Sequence, residues 1–64
     1  MAQNTTSNDP VAVVDGPNGK AEIFEIYTEG RNMEYKIVFN GQAETFPSLG
    51  EAYIEAGNRA GTKT

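Results

Sequence analysis

The 64-residue chain contains no cysteine, no histidine and no tryptophan. Without cysteine it can form neither a disulfide framework nor a thiolate zinc site. Without histidine it lacks the side chain that most often serves as a general base in enzymes and as a metal ligand. These absences argue against a disulfide-stabilised secreted domain and against the commonest catalytic and metal centres.

Long apolar runs and positive charge are also scarce. No segment approaches the roughly 18 consecutive apolar residues of a membrane span, and the N-terminus has neither the basic region nor the apolar stretch of a signal peptide. We therefore expect a cytoplasmic protein that does not associate with membranes. Five basic residues stand against nine acidic ones, which gives a formal net charge of −4.

The two ends of the chain differ in composition from its middle. Residues 1–10 hold no large apolar residue after Met1 and so cannot recover by burial the entropy that is lost on ordering. We expect a disordered tail over 1–10, a single domain over 11–60 and a frayed terminus over 61–64. The large apolar residues between 11 and 60 suffice for one small core.

Alternating apolar and polar residues predict strands over 20–28 and 33–39, with a short last strand over 42–46 and a candidate first strand over 11–14. Glycine at the first central position of Gly30-Arg31 is typical of a type II′ hairpin turn. A two-residue turn there would place Ile26 opposite Tyr35 and Glu25 opposite Lys36. In that register an apolar pair and an opposite-charge pair both form, which stabilises a sheet.

Asn40-Gly41 is the strongest hairpin signal in the chain, because a type I′ turn requires positive φ at both central residues. The corresponding register pairs Tyr35 with Phe46, but it also places Glu44 opposite Ile37 on the core face. Two explanations remain open. Either Glu44 lies on an exposed edge as an inward-pointing guard against strand addition, or the turn carries a bulge.

The clearest single element is a C-terminal helix. Ser48 and Glu51 form a capping box, and Gly61 is a natural stop. The apolar residues repeat at helical spacing along one stripe, which consists of Leu49, Ala52, Tyr53, Ala56 and Ala60. Together the elements predict an α+β fold, in which a three- to four-stranded antiparallel meander has one C-terminal helix packed on one face.

No residue pattern indicates catalysis or ligand binding. Ser48 is occupied as a helix cap, and no candidate base lies beside any serine. The segment 16–20 lacks the spacer and the serine or threonine of a phosphate loop. Asp15 is followed by glycine and proline, which do not provide the alternating oxygen ligands of a calcium loop. We therefore expect no enzyme, no cofactor and no metal site.

A single helix can cover only one face of a sheet. If it packs on the face that holds Phe24 and Ile26, the opposite face presents apolar side chains around a Glu25–Lys36 pair, framed by charge as at a contact surface. The alternative is an ordinary solvated face of an antiparallel sheet. The predicted interaction face consists of Ile23, Glu25, Tyr27, Glu34, Lys36 and Val38.

These patterns favour a small acidic interaction module that binds a partner protein, or a second copy of itself, through this face. One alternative is an inhibitor of the phage or mobile-element type that occupies the basic, nucleic-acid-binding site of a host protein, an analogy based on size and charge.

A further alternative is DNA binding. Three strands followed by one helix resemble small domains that lay a sheet in the major groove, such as the arm-binding domain of some integrases. The segment 46–52 (Phe-Pro-Ser-Leu-Gly-Glu-Ala) is similar to the strand-to-helix junction of several small sheet-plus-helix families. The first resemblance implies contact with a duplex. The negative field argues against it, because binding nucleic acid requires a positive stripe.

Overall fold

The computed structural model describes residues 4–62 and shows five strands followed by one helix. The elements are β1 (Asn4–Thr6), β2 (Ala12–Gly16), β3 (Gly19–Thr28), β4 (Glu34–Phe39), β5 (Gln42–Phe46) and α1 (Leu49–Ala60). Strands β2 to β5 form an antiparallel meander, and β1 pairs with β3 on the same side as β2. The predicted α+β meander with a C-terminal helix packed against it is confirmed.

The N-terminal segment differs from the disordered tail predicted over 1–10. Asn4–Thr6 forms a strand, and the next residue extends the contact, since the Ser7 N–H donates to the Glu25 carbonyl (2.9 Å) and the Glu25 N–H donates to Ser7 Oγ (3.1 Å). This pairing requires no apolar side chain. Strand β3 has ten residues and β2 only five, so β2 pairs with the first half of β3 alone. The second half of β3 keeps unpaired backbone N–H and C=O groups on that edge, which β1 can bind. Residues 1–3 of the predicted tail, like 63–64 of the predicted frayed terminus, lie outside the described residues.

The register between β3 and β4 is one residue away from the predicted one. Ile23 lies opposite Ile37, and Glu25 lies opposite Tyr35 instead of Lys36. Successive side chains of a strand point to opposite faces of the sheet. A slip of one residue therefore moves to the helix side the β3 residues that were predicted to lie on the uncovered face.

The cause of the slip is the turn between these strands. The Arg31 N–H donates to the Thr28 carbonyl (3.0 Å), and Gly30 has φ of 81°. Glu29 and Gly30 are therefore the central residues of a type II turn, which places positive φ at the second central residue. The predicted type II′ turn at Gly30-Arg31 is wrong, because the same glycine serves a turn that begins one residue earlier.

The hairpin between β4 and β5 has the predicted register. Asn40 and Gly41 have φ of 53° and 79°, as a type I′ turn requires. Tyr35 pairs with Phe46, and Glu44 lies opposite Ile37 without an intervening bulge. Glu44 is thus on an exposed strand, where it forms an ion pair with Arg59 of α1.

Helix α1 packs on the sheet through small side chains. Ala52, Ala56 and Ala60 are fully buried, which brings the helix backbone close to the sheet. They form one core cluster with four residues of β2, β3 and β4, namely Val14, Ala21, Ile23 and Ile37. The predicted apolar stripe is therefore narrower than expected, because Leu49 and Tyr53 are exposed.

Both ends of α1 are where the sequence predicts them. Ser48 is the N-cap, and its side chain accepts a hydrogen bond from the Glu51 N–H (3.2 Å). At the other end Gly61 has φ of 89°, and the N–H groups of Gly61 and Thr62 both donate to the Gly57 carbonyl (2.9 Å each). This closing bond from Thr62 is the signature of a Schellman-type C-cap.

The turn between β2 and β3 holds the C-terminal end of α1. The Asn18 N–H donates to the Ala60 carbonyl (2.8 Å), and Asn18 Nδ2 donates to the Arg59 carbonyl (3.4 Å). The helix is thereby fixed over the end of the sheet where this turn lies. The opposite end, with the turn between β3 and β4, extends beyond the helix, and the molecule measures 41 × 19 × 16 Å.

Candidate functional site

The described residues offer no metal centre. Among them, no group of three or more acidic side chains lies together in a way that could hold a metal ion. The same part of the chain has no helix with the length and hydropathy needed to cross a bilayer. One candidate functional feature is the face of the sheet opposite α1.

This open face is defined by the observed registers and by the alternation of side chains along each strand. It belongs to all four strands of the meander. Its main residues are Val13, Glu22, Phe24, Glu34, Lys36, Val38, Ala43 and Thr45, whereas Ile26, on the same side of β3, is buried.

The β4 half of the predicted interaction face lies on the open face. Glu34 is exposed there, and Lys36 and Val38 are half-buried between their neighbours on β3 and β5. In the structure these three residues lie beside Glu22, Phe24 and Ile26, which the sequence interpretation placed on the helix side.

The β3 half of the predicted face, Ile23, Glu25 and Tyr27, requires correction. All three residues lie on the helix side of the sheet. Ile23 has 0% exposed surface and is one of the two largest fully buried side chains, so it cannot contact a partner. Glu25 is half-buried, and Tyr27 is 51% exposed beyond the helix. The one-residue error in the predicted register accounts for the wrong placement of all three residues.

A signal for the correct arrangement was present in the sequence. The turn over 16–19 pairs Val14 with Ala21, and a small residue at 21 matches a helix that packs through alanines. Since Ala21 and Ile23 lie on the same face of β3, this pairing places Ile23 under the helix. The candidate strand over 11–14 thus indicated which face of β3 lies under the helix, whereas the turn at Gly30 did not.

Three apolar side chains of the open face, Val13, Phe24 and Val38, lie in adjacent cross-strand rows, and we call them the apolar strip. Val13 and Val38 flank Glu22 in one cross-strand row, and Phe24 occupies the next row. Lys36 Nζ lies 5.9 Å from the centre of the Phe24 ring, within the range of a cation–π interaction. The Lys36 side chain thus reaches across to its cross-strand partner Phe24.

Charges on the open face are nearly balanced. Lys36 lies between Glu22 and Glu34, and Asp15 pairs with Lys20 at one end of the sheet. The excess negative charge of the chain is therefore carried mainly by other surfaces. The open face has no stripe of positive charge of the kind that binds a nucleic-acid backbone.

No model of a known protein family matches the chain, and no significant match was found among curated proteins or solved structures. The comparisons thus bring no activity, substrate or partner to this protein. Its function has to be inferred from the chemistry of its surfaces.

Proposed function

We propose that the protein is a non-enzymatic interaction module that binds another protein through the open face. The observation that supports this proposal is the apolar strip of Val13, Phe24 and Val38 on a sheet face opposite α1, the one helix of the described chain. Apolar side chains on adjacent strands, bordered by charges of both signs, have the composition of a contact surface.

The size of the open face sets the strength of binding that we expect. The four strands together hold 26 residues, and at a rise of about 3.3 Å per residue and a strand spacing of about 4.8 Å they make a face on the order of 400 Å². A stable protein–protein interface buries roughly 800 Å² on each partner. The open face alone therefore fits a transient contact, or one part of a larger interface.

The charges on this face favour one orientation of the partner over others. Lys36 between Glu22 and Glu34 makes an alternating pattern along the direction of the strands. Complementary charges mainly accelerate association and fix the register of a complex, while the apolar strip supplies most of the affinity.

A matched pair of variants tests the proposal. Val38→Asp places a charge in the strip, and Ile54→Asp places the same charge on the outer side of α1, where Ile54 is 69% exposed. Partners are recovered from the source organism with the full chain and identified by mass spectrometry, and self-association is followed by sedimentation velocity. We expect Val38→Asp to weaken binding at least about tenfold, which corresponds to about 1.4 kcal/mol.

The Ile54→Asp control should bind like the unsubstituted chain. Circular dichroism spectra of both variants establish that they remain folded. Unchanged binding by a folded Val38→Asp variant would rule out the open face as the contact surface.

Salt dependence separates this proposal from the inhibitor hypothesis. At about 0.5 M salt, charges are screened within a few ångströms. Binding through the apolar strip should persist there, whereas occupation of a basic site by charge alone should be lost. The DNA-binding alternative would gain support only from duplex binding that Lys36→Glu abolishes.

A further inference from the structure

We propose that a second surface, on the helix side of the sheet at the N-terminal end of α1, docks a basic segment of a partner protein that carries apolar anchors. This surface, called the ledge, consists of Tyr27, Met33, Leu49 and Tyr53. It is separate from the open face and contains four of the large apolar side chains that the fold leaves exposed.

The ledge exists because the helix is shorter than the sheet. Twelve helical residues span about 18 Å, whereas the ten residues of β3 span about 33 Å. Since Asn18 holds the C-terminal end of α1 at one end of the sheet, the uncovered length lies at the other end. There the helix side of β3 and β4 extends past the start of α1.

Tyr27 and Met33 form the sheet part of the ledge. Tyr27 alternates with Ile23 and Glu25 on the helix side of β3, and half of its surface is exposed. Met33 lies just before β4 and lines a surface depression together with Pro47, which immediately precedes the N-cap of α1. Met33 is therefore adjacent to the start of the helix.

Leu49 and Tyr53 form the helical part. They are 41% and 54% exposed and share one side of α1 because they are four residues apart. The ion pair between Arg59 and Glu44 shows which side of α1 faces β5. Tyr53 precedes Arg59 by six residues and so points about 120° away from that side, toward β3.

The residue types and charges of the ledge specify its partner. Tyrosine and methionine are enriched in the centres of protein interfaces, where tyrosine often contributes much of the binding energy. Two glutamates, Glu25 and Glu29, adjoin the sheet part of the ledge, and Glu51 lies in the first turn of α1, whereas the cation beside Met33 is Arg31, within a chain of net charge −4. A basic segment complements this field, whereas a second copy of the chain would bring like charges together.

The test uses two synthetic peptides and the full chain. One peptide is an amphipathic sequence of leucine and lysine, and the other has glutamate in place of each lysine. Binding is measured by calorimetry at low salt for the unsubstituted chain, for the double variant Tyr27→Ala/Tyr53→Ala and for Ile54→Ala. Ile54 is the matched control because it is exposed on the same helix, one residue from Tyr53 but on its outer side.

We expect the lysine peptide to bind the unsubstituted chain and Ile54→Ala equally, and the tyrosine double variant at least about tenfold more weakly. The glutamate peptide should not bind. Equal binding by all three proteins would contradict the proposal, because it would show attraction by net charge alone. Val38→Asp is measured in the same way, and binding that is lost in this variant but kept in the tyrosine variant would also contradict the proposal, since it would place the peptide on the open face.

Discussion

Small residues decide how closely the helix approaches the sheet. A Cβ atom at Gly16 would lie 2.3 Å from the Ala60 carbonyl oxygen and 2.9 Å from Thr62 Cγ2. The first of these contacts is with backbone, which cannot rotate away. Gly16 therefore fulfils a packing requirement that is set by the C-terminal end of α1.

Replacing Gly16 by alanine should accordingly destabilise the protein. We expect Gly16→Ala to lower the free energy of unfolding by about 1–3 kcal/mol, the usual cost of overpacking. Gly50→Ala is the control, because its Cβ would meet nothing within 4 Å. Since alanine is the better helix former, Gly50→Ala should be as stable as the original chain or up to about 1 kcal/mol more stable. Urea unfolding of the two variants measures the difference, and a fully stable Gly16→Ala would disprove the close packing.

At the scale of elements, the helix and one hairpin could be predicted because their residues permit a single local geometry. Asn40-Gly41 provides two adjacent residues that tolerate positive φ, which defines both the turn and the register. Gly30 provides only one such residue, and it fits either the first central position of a type II′ turn or the second of a type II turn. The choice between these two turns shifts the register by one residue.

The alternation along β3 could not correct the register. Phe24 and Ile26 occupy one face of the strand, while Ile23 and Tyr27 occupy the other, so both faces have two large apolar residues. The decision is made by tertiary contacts, in which Ile23 packs with Ile37 under the alanines of α1. For this reason the pattern along β3 and β4 predicted only the β4 part of the candidate site, and the signal for the β3 part lay in the pairing of Val14 with Ala21.

Paired cysteines can measure the register directly, because the chain has no cysteine of its own. Both backbone hydrogen-bonding groups of Glu25 are directed at Ser7, since its N–H donates to Ser7 Oγ and its carbonyl accepts from the Ser7 N–H, so Glu25 faces Tyr35 as a non-hydrogen-bonded pair. The Cα atoms of such a pair are about 4.5 Å apart, within the range that a disulfide can bridge.

We therefore expect Glu25→Cys/Tyr35→Cys to form an intramolecular disulfide under mild oxidation. Glu25→Cys/Lys36→Cys should remain reduced or form dimers, because its two side chains lie on opposite faces. Mass spectrometry after alkylation distinguishes these products. The reverse result would contradict the observed register and support the one that a two-residue turn at Gly30-Arg31 predicts.

At the scale of the whole molecule, one short helix on a long sheet produces two different surfaces. The open face carries the apolar strip among nearly balanced charges, whereas the ledge lies at the far end of the helix side beside Glu25, Glu29 and Glu51. A protein of this size buries only roughly 60% of the surface of its unfolded chain, so apolar residues remain for contacts with partners.

The most direct test is the reactivity of single thiols at neighbouring positions of β3. In the folded protein, Phe24→Cys should react with a soluble maleimide at a rate close to that of an unstructured peptide, because position 24 lies on the open face. Ile23→Cys should react more slowly by on the order of a hundredfold or more, since its thiol becomes accessible only through opening of the core. Rapid labelling at position 23 together with protection at position 24 would contradict both the register and the open face derived from it.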